Sequence, residues 1–150
     1  MSEGAAEIFQ AFLNWTIACR GMSRALGAEL KAHALTPAKV EGMVALCFDG
    51  PLSLTELARR RQTTRGEATQ LADRLCKDGL AERVPNPTHR RRYLLQATTK
   101  GRSVLRRAGP RIGERLALAL SPLGADERRR LGTIARRLAD LFAPRDVSEE

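Results

Sequence analysis

Aromatic residues are scarce in this chain: one tryptophan, one tyrosine and four phenylalanines make up 4% of it. Histidine is scarcer still, with only His33 and His89. Neither has a cysteine or acid cluster at ligand or triad spacing, and no Gly-rich phosphate loop occurs, so the residue sets of the common enzyme classes are missing. The three cysteines, Cys19, Cys47 and Cys76, are odd in number and irregular in spacing, which fits a reduced protein better than a disulfide or zinc framework. No apolar run approaches the roughly 20 residues that a membrane helix needs. The N-terminus, M-S-E-G-A-A-E, is acidic where a secretory signal is basic. The expectation is a cytoplasmic, non-enzymatic protein with no metal, no cofactor and no membrane partner.

What the chain does have is positive charge, unevenly placed. Its 150 residues are 43% hydrophobic, enough for one domain with one core, and the formal net charge is +9. Residues 1–58 carry 4 basic and 6 acidic side chains, whereas residues 59–92 carry 10 and 4, and residues 93–150 carry 12 and 7. A short, strongly basic middle is the footprint of a protein that meets phosphates.

Periodicity supplies the elements. Ile8, Phe12, Trp15, Cys19, Met22, Leu26 and Leu30 recur every three or four residues, which predicts one long helix over 3–32. A stripe of that length must pack on something extended, and a partner subunit is a candidate. Thr36 and Pro37 mark a second helix start, with Val40, Met43, Val44 and Leu46 as its buried side and Asp49-Gly50-Pro51 as its end. Two capping boxes follow, Ser53-x-x-Glu56 and Thr64-x-x-Glu67, joined by the tight link Arg61-Gln62-Thr63. Two short helices so joined suggest a helix-turn-helix. Gly79 stops the second of them. Residues 81–84 and 93–97 then predict a β-hairpin whose turn, Pro85-Asn86-Pro87-Thr88, leads into the basic run His89-Arg90-Arg91-Arg92. A helix restarts at Thr98, Gly109-Pro110 marks a bend in it, and a last helix starts near Asp126 with Leu131, Ile134, Leu138, Leu141 and Phe142 three, four, three and one residues apart. The predicted fold is mainly α with a small β-hairpin wing.

The runs L-T-P-A-K-V-E-G-M-V-A-L, G-P-L-S-L-T-E-L-A-R-R, T-T-R-G-E-A-T-Q-L-A-D-R-L, D-G-L-A-E-R-V-P-N-P-T-H-R-R-R and L-L-Q-A-T-T-K-G-R resemble the MarR family of bacterial transcriptional regulators. The likeness is residue by residue from Leu35 to Leu105 and is most specific in D-R-L-x-x-x-G-L and x-E-R-x-P-N-P-x-x-R-R. It implies a winged helix-turn-helix over 35–98 that binds DNA. It also implies a dimerisation helix over 1–34, two more over 99–143, and a loose tail over 144–150. The implied protein is a homodimeric repressor on a pseudo-palindromic operator, relieved by a small aromatic ligand or by cysteine oxidation. The sequence departs from the family at His89, where an acid often helps to hold the wing.

On this reading the second helix of the pair offers Thr64, Arg65, Glu67, Thr69, Gln70, Arg74 and Lys77 to DNA. Arg65 suits guanine and Gln70 suits adenine, because each can make two parallel hydrogen bonds to that base. Thr64 caps the helix and touches phosphate. Arg74 binds phosphate or pairs internally with Glu82 or Asp73. The wing arginines Arg90, Arg91 and Arg92 reach the minor groove or its phosphates, with Arg91 the family-matched choice. Lys39, Ser53 and Thr55 meet the DNA backbone, Ser53 also serving as a cap. The resemblance puts an effector pocket among Phe12, Trp15, Cys19, Glu41 and Met43. Among the thiols, Cys76 stands beside Lys77, a neighbour that can lower a thiol pKa. The competing reading is a non-specific architectural DNA- or RNA-binding protein, for which basic charge and a wing serve equally well. Protection of a short inverted repeat separates the two.

Overall fold

The computed structural model describes residues 2–144 of the chain. Six helices and one hairpin follow in the order α1 (Glu3–Ala32), α2 (Pro37–Phe48), α3 (Leu54–Arg61), α4 (Arg65–Lys77), β1 (Ala81–Pro85), β2 (Tyr93–Ala97), α5 (Thr99–Ala119) and α6 (Ala125–Phe142). The mainly helical architecture with a two-stranded wing is therefore as the sequence predicts. Of the tail expected to be loose, residues 145–150 lie outside the described residues.

Local chemistry sets the boundaries. Thr36 accepts a hydrogen bond from the Lys39 amide, and Pro37 occupies the first helical turn of α2, where a missing N–H costs nothing. Ser53 and Thr64 each close a reciprocal capping box, with Glu56 and Glu67. Between α3 and α4 the chain turns at Gln62, whose left-handed backbone (φ 52°) redirects it within three residues. Gly79, at φ 70°, ends the α4 region in the conformation that glycine tolerates best.

One core joins these elements. Met43, Leu46, Leu57, Leu75 and Leu95 are fully buried, so α2, α3, α4 and β2 meet around them. Burying a side chain of this size is worth about 1.5–3 kcal/mol. Thus five such residues at the centre of a 60-residue lobe are what hold its short helices together. Leu26 and Leu30 of α1, and Val104, Ala108 and Ile112 of α5, tie the two long helices onto the same core. Gly101 lets α5 approach, since a Cβ there would stand 2.1 Å from the Leu80 carbonyl oxygen.

One expectation needs correction. Val44 is exposed rather than buried, because it shares the outer face of α2 with Glu41 and Phe48. Pro110, where the sequence marks a bend, lies inside an uninterrupted α5. The first half of the α1 stripe and the stripe of α6 do not face the core of the described residues: Ile8, Phe12, Ile134, Leu138, Leu141 and Phe142 are all exposed. No residue of α6 is buried.

Candidate nucleic-acid interface

The α4 helix has two faces because its apolar residues fall three and four apart. Ala68, Leu71, Ala72 and Leu75 are buried against the core. Arg65, Gln70, Arg74 and Lys77 are exposed on the other side. None of these four has an internal partner among the described residues. Arg74 in particular pairs with neither Glu82 nor Asp73, since Asp73 is taken by Arg83.

Two of the candidates on α4 already have work to do. The Glu67 carboxylate accepts from the Thr64 amide and the Thr64 hydroxyl, both at 2.9 Å, while the Glu67 amide donates to the Thr64 oxygen at 3.2 Å. The Thr64 amide and hydroxyl hold the Glu67 carboxyl below its usual range, so it stays ionised and turned back on the cap. Glu67 thus fixes the start of α4 instead of offering an acceptor outward. Thr69 is half-buried, and its hydroxyl donates to the Arg65 carbonyl at 2.8 Å. Ser53 repeats the Thr64 arrangement on α3, where Glu56 is held below its usual range by the Ser53 hydroxyl first and the Ser53 amide second.

The wing is an antiparallel pair running from Ala81↔Ala97 to Pro85↔Tyr93. Asn86 orders its tip. The Asn86 carboxamide oxygen accepts from the Thr88 amide at 2.9 Å and from the Thr88 hydroxyl at 2.8 Å, an Asx turn. Main-chain bonds from Asn86 to Arg92, from His89 to Asn86 and from Arg92 to His89 close the loop. This is what holds the wing when an acid is missing at His89, whose imidazole is exposed and has no partner among the described residues. Arg90, Arg91 and Arg92 are likewise exposed and unpaired there.

These parts meet in one groove of about 670 Å³, walled by Ser53 and Thr55 at the start of α3, by Arg59, by Arg65 of α4 and by Arg91 and Arg92 of the wing. Five sequence candidates from three elements, Ser53, Thr55, Arg65, Arg91 and Arg92, therefore line a single basic cleft, whereas Gln70, Arg74 and Arg90 are not among its lining residues. Lys39 is not among its lining residues. Its ammonium bonds Asp78 at 2.6 Å and the Ala34 carbonyl at 3.1 Å, which ties α2 to the end of α4. Lys39, expected at the DNA backbone, is half-buried here and serves as an internal brace.

Sequence reading missed a second brace. Arg83 of β1 pairs with Asp73 of α4 and lies 4.8 Å over the ring of Tyr93, the chain's one tyrosine. This clamp fixes the wing's base to the reading helix. The signal was available: the hairpin register sets Arg83 diagonally across from Tyr93. Lys100 adds a third tie, donating to the Asp78 carbonyl at 2.7 Å at the end of α4.

The candidate effector residues do not come together. Met43 is buried in the core beneath Gly101, so it lines no open pocket. Glu41 pairs with Arg61 at 3.1 Å and edges a shallow groove with Val44 and Phe48. None of Phe12, Trp15 or Cys19 lines that groove. The thiols are not activated where a shift is resolved. Burial pushes Cys47 and Cys76 up, and the nearby Arg102 and Arg83 only partly offset it. Lys77 is not among the causes for Cys76. Among the described residues no group of three or more His, Cys, Asp or Glu side chains is placed to hold a metal ion. No described helix is long and apolar enough to cross a membrane.

A capped helix pair with a left-handed turn, followed at once by a basic hairpin, defines a winged helix-turn-helix protein. The family model described as MarR family matches residues 35–92, the segment from the start of α2 to the tip of the wing. The multiple antibiotic resistance protein MarR of Escherichia coli is 29% identical over 105 residues, 69% of this chain and 73% of that one. The structure of Sco3205, a MarR family transcriptional regulator from Streptomyces coelicolor solved in complex with DNA, superposes with a TM-score of 0.83 at 26% identity and covers 94% of this chain and 91% of that one. The PcaV transcriptional regulator of the same organism, solved with its natural ligand, gives a TM-score of 0.71 at 29% identity over 81% and 89% of the two chains. Over residues 35–92 the chain matches the MarR family, and over most of its length it shares the fold of solved MarR family transcriptional regulators.

Proposed function

We propose that this regulator is a sequence-specific DNA-binding repressor that works as a homodimer on a pseudo-palindromic operator. One observation carries the reading: Arg65, Gln70 and Arg74 stand exposed and unpaired on the part of α4 that the core leaves open, and Arg65 lines a groove walled by the wing arginines. Charge left unpaired on the outer face of a reading helix is charge kept for another molecule. The DNA complex of Sco3205 supports the same partner.

In this reading α4 enters the major groove, with Arg65 on guanine and Gln70 on adenine. Arg74 takes phosphate. Arg91 enters the adjoining minor groove, where narrow A·T-rich stretches attract arginine, and Arg90 and Arg92 hold phosphates. Ser53 and Thr55 meet the backbone at the start of α3. Thr64 and Glu67 position α4 from within, and Thr69 adds its methyl group to the reading face.

The homodimer rests on the exposed stripes. Ile8 and Phe12 of α1, together with Ile134, Leu138, Leu141 and Phe142 of α6, form more apolar surface than a soluble monomer normally leaves open. The α6 helix is tethered through its polar face, since Gln62 donates to Asp140 at 2.6 Å. Its stripe therefore points away from its own chain, toward a second copy. Residues 1–34 and 99–143 act as the dimer elements and residues 35–98 as the DNA lobe. A small aromatic effector is supported by the ligand-bound relative PcaV and by the exposed Phe12 and Trp15 on the α1 face, with Cys19 beside them. A pocket there is completed by the partner.

The test is footprinting on DNA flanking the protein's own gene, with and without a panel of aromatic acids. Protection of an inverted repeat that an aromatic acid relieves is the expected result. Arg91→Ala weakens that binding severalfold or more and leaves the dimer intact. Unaltered affinity in that variant would remove the wing from the interface.

A further inference from the structure

A large share of the positive charge lies outside the reading head. Residues 99–143 carry eleven basic and four acidic side chains, and every arginine of α6 is exposed. Arg129 pairs with Asp126, but Arg128, Arg130, Arg136 and Arg137 have no partner among the described residues. We propose that the α6 arginines form a second DNA-backbone contact, gripping duplex that flanks the segment read by α4 and the wing. This rests on the DNA-binding reading above and extends it.

Three observations place the strip. The first is the tether: Gln62 bonds Asp140 and stands two residues before Thr64, the cap of the reading helix. The second is helical spacing. Arg136 precedes Asp140 by four residues and Arg129 precedes it by eleven, so both share the tethered face. With a rise of 1.5 Å per residue they lie about 6 Å and about 16 Å along the axis from that tether. The third is that the face is not needed elsewhere. Leu131, Ile134, Leu138 and Leu141 mark the opposite side, which a second copy covers, so Arg129 and Arg136 stay in solvent in the dimer. Arg60 at the end of α3, whose side chain is 61% exposed although it pairs with Asp49, stands two residues before the tethered Gln62. A duplex presents one phosphate charge per about 1.7 Å of axis, so a strip of about 16 Å meets several. Arginine suits the task, because its planar fork stays charged and matches phosphate oxygens.

The experiment compares the double variant Arg129→Gln/Arg136→Gln with the unaltered protein on arbitrary-sequence duplexes of about 20 and about 60 base pairs, over a range of salt. Each lost phosphate contact lowers the slope of log K against log salt by about 0.9. On the longer duplex the double variant is expected to show a slope shallower by about 1.8, so that the affinity lost between 50 and 200 mM salt shrinks by about 12-fold. On the short duplex the two proteins should match. Arg136→Gln alone, opposite the apolar stripe, gives a shift of about 0.9 with the dimer mass unchanged, which serves if the double variant alters assembly. An unchanged slope on the long duplex overturns the proposal, and so does an equal loss on both lengths. If the unaltered protein binds neither duplex, it is the DNA reading itself that falls.

Discussion

Gly101 makes the sharpest stability prediction. It is the third residue of α5, where that helix leaves the winged helix-turn-helix. A Cβ built there would lie 2.1 Å from the Leu80 oxygen, 2.6 Å from Met43 Cε and 2.9 Å from the Leu80 carbonyl carbon. Met43 can move its terminal methyl, but Leu80 cannot yield. Its amide is bound to the Leu75 carbonyl, and its carbonyl accepts from the Thr98 amide at 3.0 Å. Gly101→Ala must therefore push α5 off the lobe. Overpacking of this kind costs about 1–3 kcal/mol, and the upper end applies because the obstacle is backbone. The helix-propensity gain of alanine over glycine, about 1 kcal/mol, offsets part of it. The net loss is about 2 kcal/mol, or roughly 4–8 °C in Tm for a chain of this size. Gly113, on the same helix with nothing within 4 Å of its Cβ position, is the control. Gly113→Ala should stabilise by about 0.5–1 kcal/mol. Thermal unfolding by circular dichroism at fixed protein concentration separates the two. If Gly101→Ala melts at or above the parent temperature, the close approach of α5 to Leu80 is wrong.

Two other perturbations test the reading head. Asn86→Ala removes both bonds that order the wing tip and should weaken DNA binding severalfold without lowering Tm by more than a degree or two, because the tip is exposed; equal affinity would show that the Asx turn does not preorganise Arg91. The caps predict a pH dependence. Glu56 and Glu67 titrate below their ordinary range in the folded chain, so their stabilisation is complete above the unfolded carboxylate pKa of about 4.3 and is lost as pH falls through the lower folded value. The Tm advantage of the parent over Glu67→Gln should hold at neutral pH and vanish in acid; an advantage that persists at pH 2–3 would mean the carboxylate charge is not what caps α4.

Much of the DNA lobe was legible because its signals are local. A capping box needs only four residues of sequence, and both boxes formed with the expected partners. The two strands of the hairpin followed from the strand formers on either side of the turn, although Pro85, read as part of that turn, pairs with Tyr93 as the last residue of β1. What local signals cannot give is a side chain's choice among distant partners. Lys39 looked like a backbone contact until α2 and α4 packed and brought Asp78 within 2.6 Å. Glu67 looked like an outward acceptor, although the same capping box that was read from it fully occupies its carboxylate. Asp73 was weighed as a partner for Arg74, its chain neighbour, but adjacent residues on a helix point about 100° apart. Arg83 reaches Asp73 from the next element.

The effector residues stay apart within one chain for a related reason. Phe12, Trp15 and Cys19 belong to a stripe whose covering surface is not in this chain, and Met43 belongs to a core that is. A periodic apolar pattern says that a face will be buried; it does not say by what. For α2 the answer is the same lobe, since Met43 and Leu46 fall on the side where α4 and β2 arrive. For the first half of α1 and for all of α6 no element of the chain arrives, and the apolar residues stay open. The tether from Gln62 to Asp140 then acquires a consequence. It connects the turn before the reading helix to a helix whose apolar face waits for a second copy. If that copy shifts α6, the pull is delivered at Gln62, where a left-handed backbone position can change the angle of α4 without disturbing either capping box. Asp140→Ala should therefore loosen the dependence of DNA affinity on anything that acts through the dimer helices, while leaving the contacts of Arg65 and Gln70 intact.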